Sequence, residues 1–408
     1  MRHHVANVNL TALTIDVRGQ AVLVSANIEE YCASIMVMQP IRRILAMALL
    51  LPLWLGAQAV SDAERQRFDQ IKTRHERGEP VSPEEQRFAQ DIMARQRQAA
   101  AAQQNGEYAK THPPRESTGL VPLPDLGAGL YQDEQGGLYP GGQNIPPPAH
   151  LKAGLALARQ TIPLDAEGRP SDSGRIVFLT IGMSNTTQES QAFIRLARAD
   201  GGLNPKLVLV DGAQGGQTAR ITANADANFW KVVDDRLSAA GVTAKQVQAV
   251  WLKQANAGPT APFPAETRKL QADLVATLHN LHDKFPNLKI AYLSSRIYAG
   301  YAVTPLNPEP HAYEGGFAVK WTIAGQINGN PELNYDSSKG AVRSPWIAWG
   351  PYLWADGIAG RKQDSLIYAR EDLGPDGTHP SASGQKKVGQ LLLDFLKNDP
   401  VARPWFVK

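Results

Sequence analysis

Residues 175–199 read RIVFLTIGMSNTTQESQAFIRLARA. The first six, RIVFLT, are a short apolar run of the kind that forms a strand covered on both faces. QESQAFIRLARA, from Gln188 to Ala199, has helical spacing. The polar link between them carries Ser184. A strand, a tight polar link and a helix make the first half of a parallel β-α-β unit.

The unit repeats downstream. KLVLVD (206–211) reads as a strand, followed by a helix over 223–240. VQAVWLK (247–253) reads as a strand, followed by a helix over 265–285. LKIAYLSS (288–295) reads as a strand, and a last helix lies near 383–397. Strands alternating with helices predict an α/β fold: a mainly parallel sheet between two helical layers. Ligands of such sheets bind beyond the C-terminal ends of the strands. After the first strand that edge receives Ser184, from TIGMSNTTQ. After the second it receives Gly215 and Gly216, from DGAQGGQT. After the third it receives Asn256, from KQANAGP. The loop before the last helix, LGPDGTHPSASGQ (373–385), offers Asp376 and His379.

These residue types suit acyl transfer. A serine hydroxyl is a weak nucleophile and needs an adjacent base. His379 can take its proton, and Asp376 can fix the imidazole tautomer and stabilise the imidazolium. The oxyanion of a tetrahedral intermediate needs preorganised donors. The N–H of Ser184, the N–H of Gly215 and the side-chain amide of Asn256 supply three. Each residue also has a plainer role: Ser184 as a helix cap, Gly215 and Gly216 as turn residues, Asn256 and Asp376 as loop formers.

On these residues the chain resembles the SGNH (GDSL-like) hydrolases. They carry a serine after strand one, a glycine after strand two, an asparagine after strand three and a C-terminal Asp-x-x-His. The resemblance covers about residues 174–398, and DGTHPSASG is its most distinctive piece. The nucleophile block, Gly182-Met183-Ser184-Asn185, is similar to the Gly-Gln-Ser-Asn block of the carbohydrate (sialate-type) O-acetylesterases. The third block, Gln254-Ala255-Asn256-Ala257, keeps only its asparagine. The resemblance implies a three-layer sandwich, catalytic Ser184, His379 and Asp376, and a small acyl ester on a carbohydrate as substrate. A silent sugar-binding protein of the same fold, an acyltransferase and a lipase-like esterase are the alternatives. The α/β-hydrolase elbow, Gly-x-Ser-x-Gly, fits less well, because Thr186 stands at its second glycine.

Further candidates for holding substrate are Gly216, Asn185 and Arg296, the last from SSRIYAGY after strand four. PWIAWGPYLWADG (345–357) concentrates Trp346, Trp349 and Trp354. Such rings either stack on sugars or fill the core of a long insertion. His279 and His282 lie three apart on a predicted helix without further ligands, so no metal and no organic cofactor is expected.

Around residues 171–408, the expected hydrolase domain, the chain divides further. MQPIRRILAMALLLPLWLGAQAV has two arginines, an apolar run and Ala57-Gln58-Ala59, the form of an export signal over 36–59 cleaved near Ala59. The run is too short to span a bilayer. The protein is therefore expected in the periplasm or the medium. Residues 1–35 then read as an upstream extension, and they hold the one cysteine, Cys32. Without it, disulfides, a thiol nucleophile and Cys-ligated metals are excluded. Residues 60–97 read as a helical hairpin, with Ser61/Glu64 and Ser82/Glu85 as capping pairs, and as a possible arm for a protein partner. Residues 98–120 read as a linker. Residues 121–170 read as an irregular Gly/Pro-rich strap anchored by Leu130, Tyr131, Leu138 and Tyr139. Net charge is only +3, with no dense basic run, so no nucleic-acid partner is expected.

Overall fold

The structure is a computed structural model that describes residues 10–15, 21–26 and 60–408. The export-signal segment, the cleavage position and Cys32 lie outside those residues. The chain forms two compact units, Met1–Ala99 and Ala100–Lys408.

In the first unit, β1 (Leu10–Ile15) pairs antiparallel with β2 (Ala21–Ala26). Helix α1 (Asp62–Glu76) begins at a capping box: Ser61 Oγ accepts from the Glu64 N–H, and the Glu64 carboxylate accepts from the Ser61 N–H. Gly78, with φ +76°, takes the left-handed position just past its end. Ser82 and Glu85 make the same reciprocal bonds at the start of α2 (Pro83–Thr111), whose last residues, from Ala100, belong to the second unit. Arg95 of α2 donates to Glu64 of α1 at 2.6 Å. The expected linker is therefore helical as far as Thr111. QAAAAQQ has no apolar stripe, but its alanines and glutamines are strong helix formers.

In the second unit, a stretch expected to be irregular contains helix α3 (Pro148–Arg159), started by Pro148 at its first position. The sheet follows. Its strands are β3 (Ile176–Gly182), β4 (Leu207–Asp211), β5 (Val247–Lys253), β6 (Ile290–Ser294) and β7 (Trp346–Trp349). They lie in the order β4-β3-β5-β6-β7, and all neighbours run parallel. Every residue of β3, β5 and β6 is buried, as apolar runs without alternation require.

The helices are α4 (Ser184–Asp200), α5 (Asn228–Ala239), α6 (Ala265–Lys284), α7 (His311–Ile327) and α8 (Ala382–Asn398). Right-handed crossovers put α4 on one face of the sheet and α5, α6 and α7 on the other. Accordingly, α8 packs on α4 and α6 packs on α7. The chain leaves β3 towards one face and β5 towards the other. Their C-terminal ends thus flank the crevice where this architecture binds ligands.

The tryptophan-rich segment is core. Trp346, Trp349 and Trp354 are 1%, 3% and 0% exposed. Trp346 Nε1 donates to His150 O, Trp349 Nε1 to Leu138 O and Trp354 Nε1 to Glu309. These rings present no platform to a sugar: Trp346 and Trp349 lie in the fifth strand of the sheet, and Trp354 is buried in the segment that follows it. The strap is anchored by Leu138 and Tyr139, both buried, whereas Leu130 is 63% exposed and anchors nothing. Among the described residues no helix is long and apolar enough to cross a membrane.

Candidate active site

Ser184 is the first residue of α4, directly after β3. Its N–H belongs to the first turn and has no partner within the helix. The aligned peptides of α4 make this end electropositive. The turn is held close to β5. A Cβ on Gly182 would come within 2.3 Å of Lys253 O, so only glycine fits. Thr186 Oγ1, one residue further than Asn185, donates to the same Lys253 carbonyl at 2.9 Å.

Ser184 Oγ lies 2.7 Å from His379 Nε2, and His379 Nδ1 lies 2.6 Å from Asp376 Oδ2. The other carboxylate oxygen, Asp376 Oδ1, accepts from the N–H groups of Thr378 and His379, each at 3.0 Å. Burial raises the Asp376 pKa, but these hydrogen bonds, led by that from the His379 ring, outweigh it and hold the carboxyl at about 2. The loop that carries the pair is itself fixed. Gly377 (φ +65°) passes so close to Tyr301 that a Cβ would lie 1.8 Å from Tyr301 O. Val303 N donates to Asp376 O, and Gly374 N to His379 O. Ser381 Oγ accepts from Gly384 N and caps α8.

Ser184 and His379 open into a cavity of ≈ 300 Å³ that also receives Gly216, Asn256 and Arg296. Gly215 sits beside the serine rather than on the cavity wall; a Cβ there would lie 4.0 Å from Ser184 Cβ. The loop carrying both glycines is tied to β3 by Gly212 N to Thr180 O and Gln214 N to Gly182 O. The Asn256 amide is oriented by two bonds: Nδ2 donates to Asp273 at 2.6 Å, and Oδ1 accepts from Arg220 N at 3.1 Å. One Nδ2 hydrogen remains for a ligand. Asn185 does not reach the cavity. It is buried, and its Oδ1 accepts from Thr186 N, because one helical step turns it away from the direction of Ser184.

Two residues that sequence reasoning passed over lie behind Ser184. Lys253 ends β5 and Glu189 is on the second turn of α4; both are buried and they pair at 2.7 Å. Burial pushes the ammonium down and the carboxyl up, while the mutual attraction opposes both shifts. A lysine closing a largely apolar strand was the available signal. Asn307 is the other residue passed over. It lines the cavity, and its Nδ2 donates to Asn256 O at 3.0 Å. Nothing in the sequence around Asn307 marks it. A larger cavity, ≈ 560 Å³, lies at the start of β7 around residues 326–343 and contains none of these groups.

No family model matches the chain, and no curated protein matches it. Among solved structures it is similar to protein YxiM from Bacillus subtilis (12% identity, TM-score 0.31), over 57% of this chain and 59% of that one. It is similar to the periplasmic domain of a lipopolysaccharide acetyltransferase from Salmonella ser. Paratyphi A (12%, TM-score 0.29), over 61% and 95%. It is also similar to the salicylyl-acyltransferase SsfX3 of a tetracycline biosynthetic pathway (16%, TM-score 0.31), over 57% and 58%.

Proposed function

We propose that the chain is an exported serine esterase of SGNH type that removes a small acyl group, acetyl in the first instance, from a carbohydrate ester. The observation that carries this reading is the unbroken line from Ser184 Oγ through the His379 ring to the Asp376 carboxylate. Ser184 attacks the ester carbonyl while His379 Nε2 takes its proton. Asp376, ionised, holds the Nδ1–H and balances the imidazolium. The Ser184 N–H, a glycine N–H from 215–216 and the free hydrogen of Asn256 Nδ2 receive the oxyanion. His379 then returns the proton to the leaving alcohol, and water releases the acyl group by the same steps. The choice of acetyl rests on the resemblance of the Gly182-Met183-Ser184-Asn185 block. The sugar rests on the Gly-Met-Ser-Asn block alone, since the tryptophans are core. Export rests on the signal-like segment.

A fluorophosphonate probe, with the adduct located by peptide mass spectrometry, tests the nucleophile. The expected adduct is on Ser184 and is absent from Ser184→Ala and His379→Ala. Hydrolysis of 4-nitrophenyl acetate by both variants is expected to fall by about 10³-fold or more. Hydrolysis that persists in Ser184→Ala would overturn the assignment.

A further inference from the structure

Arg296 brings a permanent positive charge to the wall of the cavity that holds Ser184, and no acidic side chain lines that cavity. The arginine is 2% exposed. Among the described residues its one hydrogen bond runs from Nη2 to Thr378 O at 3.0 Å. Its Nε is enclosed without a partner. The carboxylates whose fields reach it are Glu189, Glu309 and Asp376, and each is engaged elsewhere. Glu189 pairs with Lys253. Glu309 accepts from Ala299 N, Tyr313 N and Trp354 Nε1. Asp376 holds His379. A guanidinium taken out of water with donors to spare is a poor structural choice, because a buried cation calls for a paired anion. It is a good recognition choice: its fork matches a carboxylate, and exclusion of water strengthens the bond.

We infer that Arg296 receives a carboxylate of the substrate, so that the site selects esters bearing an acidic group near the scissile bond. This rests on the esterase reading. The acid can belong to the acyl half, as in a hemisuccinyl ester, or to the alcohol half, as in an acetylated uronic acid.

The full chain is assayed on two matched pairs. For the acyl half, mono-4-nitrophenyl succinate is compared with its methyl ester. For the alcohol half, acetylated methyl glucuronoside is compared with acetylated methyl glucoside. In one pair the acidic member is expected to be preferred in kcat/KM by about 10- to 100-fold, the span of a charge-assisted hydrogen bond. That ratio is expected to collapse towards unity in Arg296→Gln and to survive in part in Arg296→Lys. A ratio within one enzyme is unaffected by any general loss from the Thr378 contact. Equal turnover in both pairs, or a ratio that Arg296→Gln leaves intact, overturns the inference. Succinate and methyl glucuronoside are also titrated calorimetrically against Ser184→Ala, with and without Arg296→Gln. Saturable binding that needs Arg296 supports the site even if no ester is turned over, which would instead sink the esterase reading. No saturable binding of either acid overturns the inference.

Discussion

Asp376 ties a backbone turn and the His379 ring together with one carboxylate. Its two oxygens face different tasks: Oδ1 closes the backbone turn, and Oδ2 holds the His379 ring. The folded chain keeps its pKa near 2, below the ordinary 3.8. The stability it contributes is therefore complete above pH 3.8 and is lost as the pH falls towards 2. Asp376→Asn is expected to lower kcat by about 10⁴-fold with little change in KM, since the imidazole loses the partner that sets its tautomer. The melting temperature of the variant is expected to trail the unaltered chain above pH 4 and to converge with it towards pH 2. A gap that stays constant across that range would show that the carboxylate charge contributes nothing to the fold.

Between elements, the contact that sets the position of Ser184 is the approach of α4 to β5. Gly182 removes the Cβ that would block it, Thr186 bonds across it, and Glu189 with Lys253 closes it behind Ser184. Removing one partner of a buried pair strands the other charge. Lys253→Met is expected to destabilise the chain by about 3–5 kcal/mol in urea unfolding, whereas Lys253→Met with Glu189→Leu should recover most of that loss. If the double variant were no more stable than the single one, the pair would be contributing net stability rather than position. The loop before α8 obeys the same geometry, for Gly377 is the residue that lets Asp376 and His379 pass beneath the Tyr301 backbone.

For the whole molecule, the separation into Met1–Ala99 and Ala100–Lys408 places every residue of the proposed site in the second unit. That unit holds the complete sheet and both helical layers, which is what an independently folding domain requires. A chain beginning at Ala100 is therefore expected to fold and to hydrolyse 4-nitrophenyl acetate with kcat/KM within about twofold of the longer chain. Loss of the cooperative unfolding transition in that truncation would show that the first unit supports the sheet.

Four of the five strands were legible in the amino-acid order. RIVFLT, KLVLVD, VQAVWLK and LKIAYLSS are apolar runs punctuated by polar links, and burial on both faces demands such runs. The chain positions of Ser184, Asp376 and His379 followed, because the C-terminal ends of parallel strands collect at one edge. The fifth strand was not legible. WIAW is four residues long, lacks a period, and is a strand only because β6 offers it an open edge. Long-range packing likewise decided the fate of the tryptophans, since an indole looks the same in sequence whether it faces a sugar or a neighbouring helix. The pairing of Lys253 with Glu189 joins residues 64 apart, and the placing of Arg296 on the Ser184 cavity joins it to a loop 82 residues away. Local order determines which face of an element is apolar. What a polar side chain meets there depends on which elements the fold brings alongside.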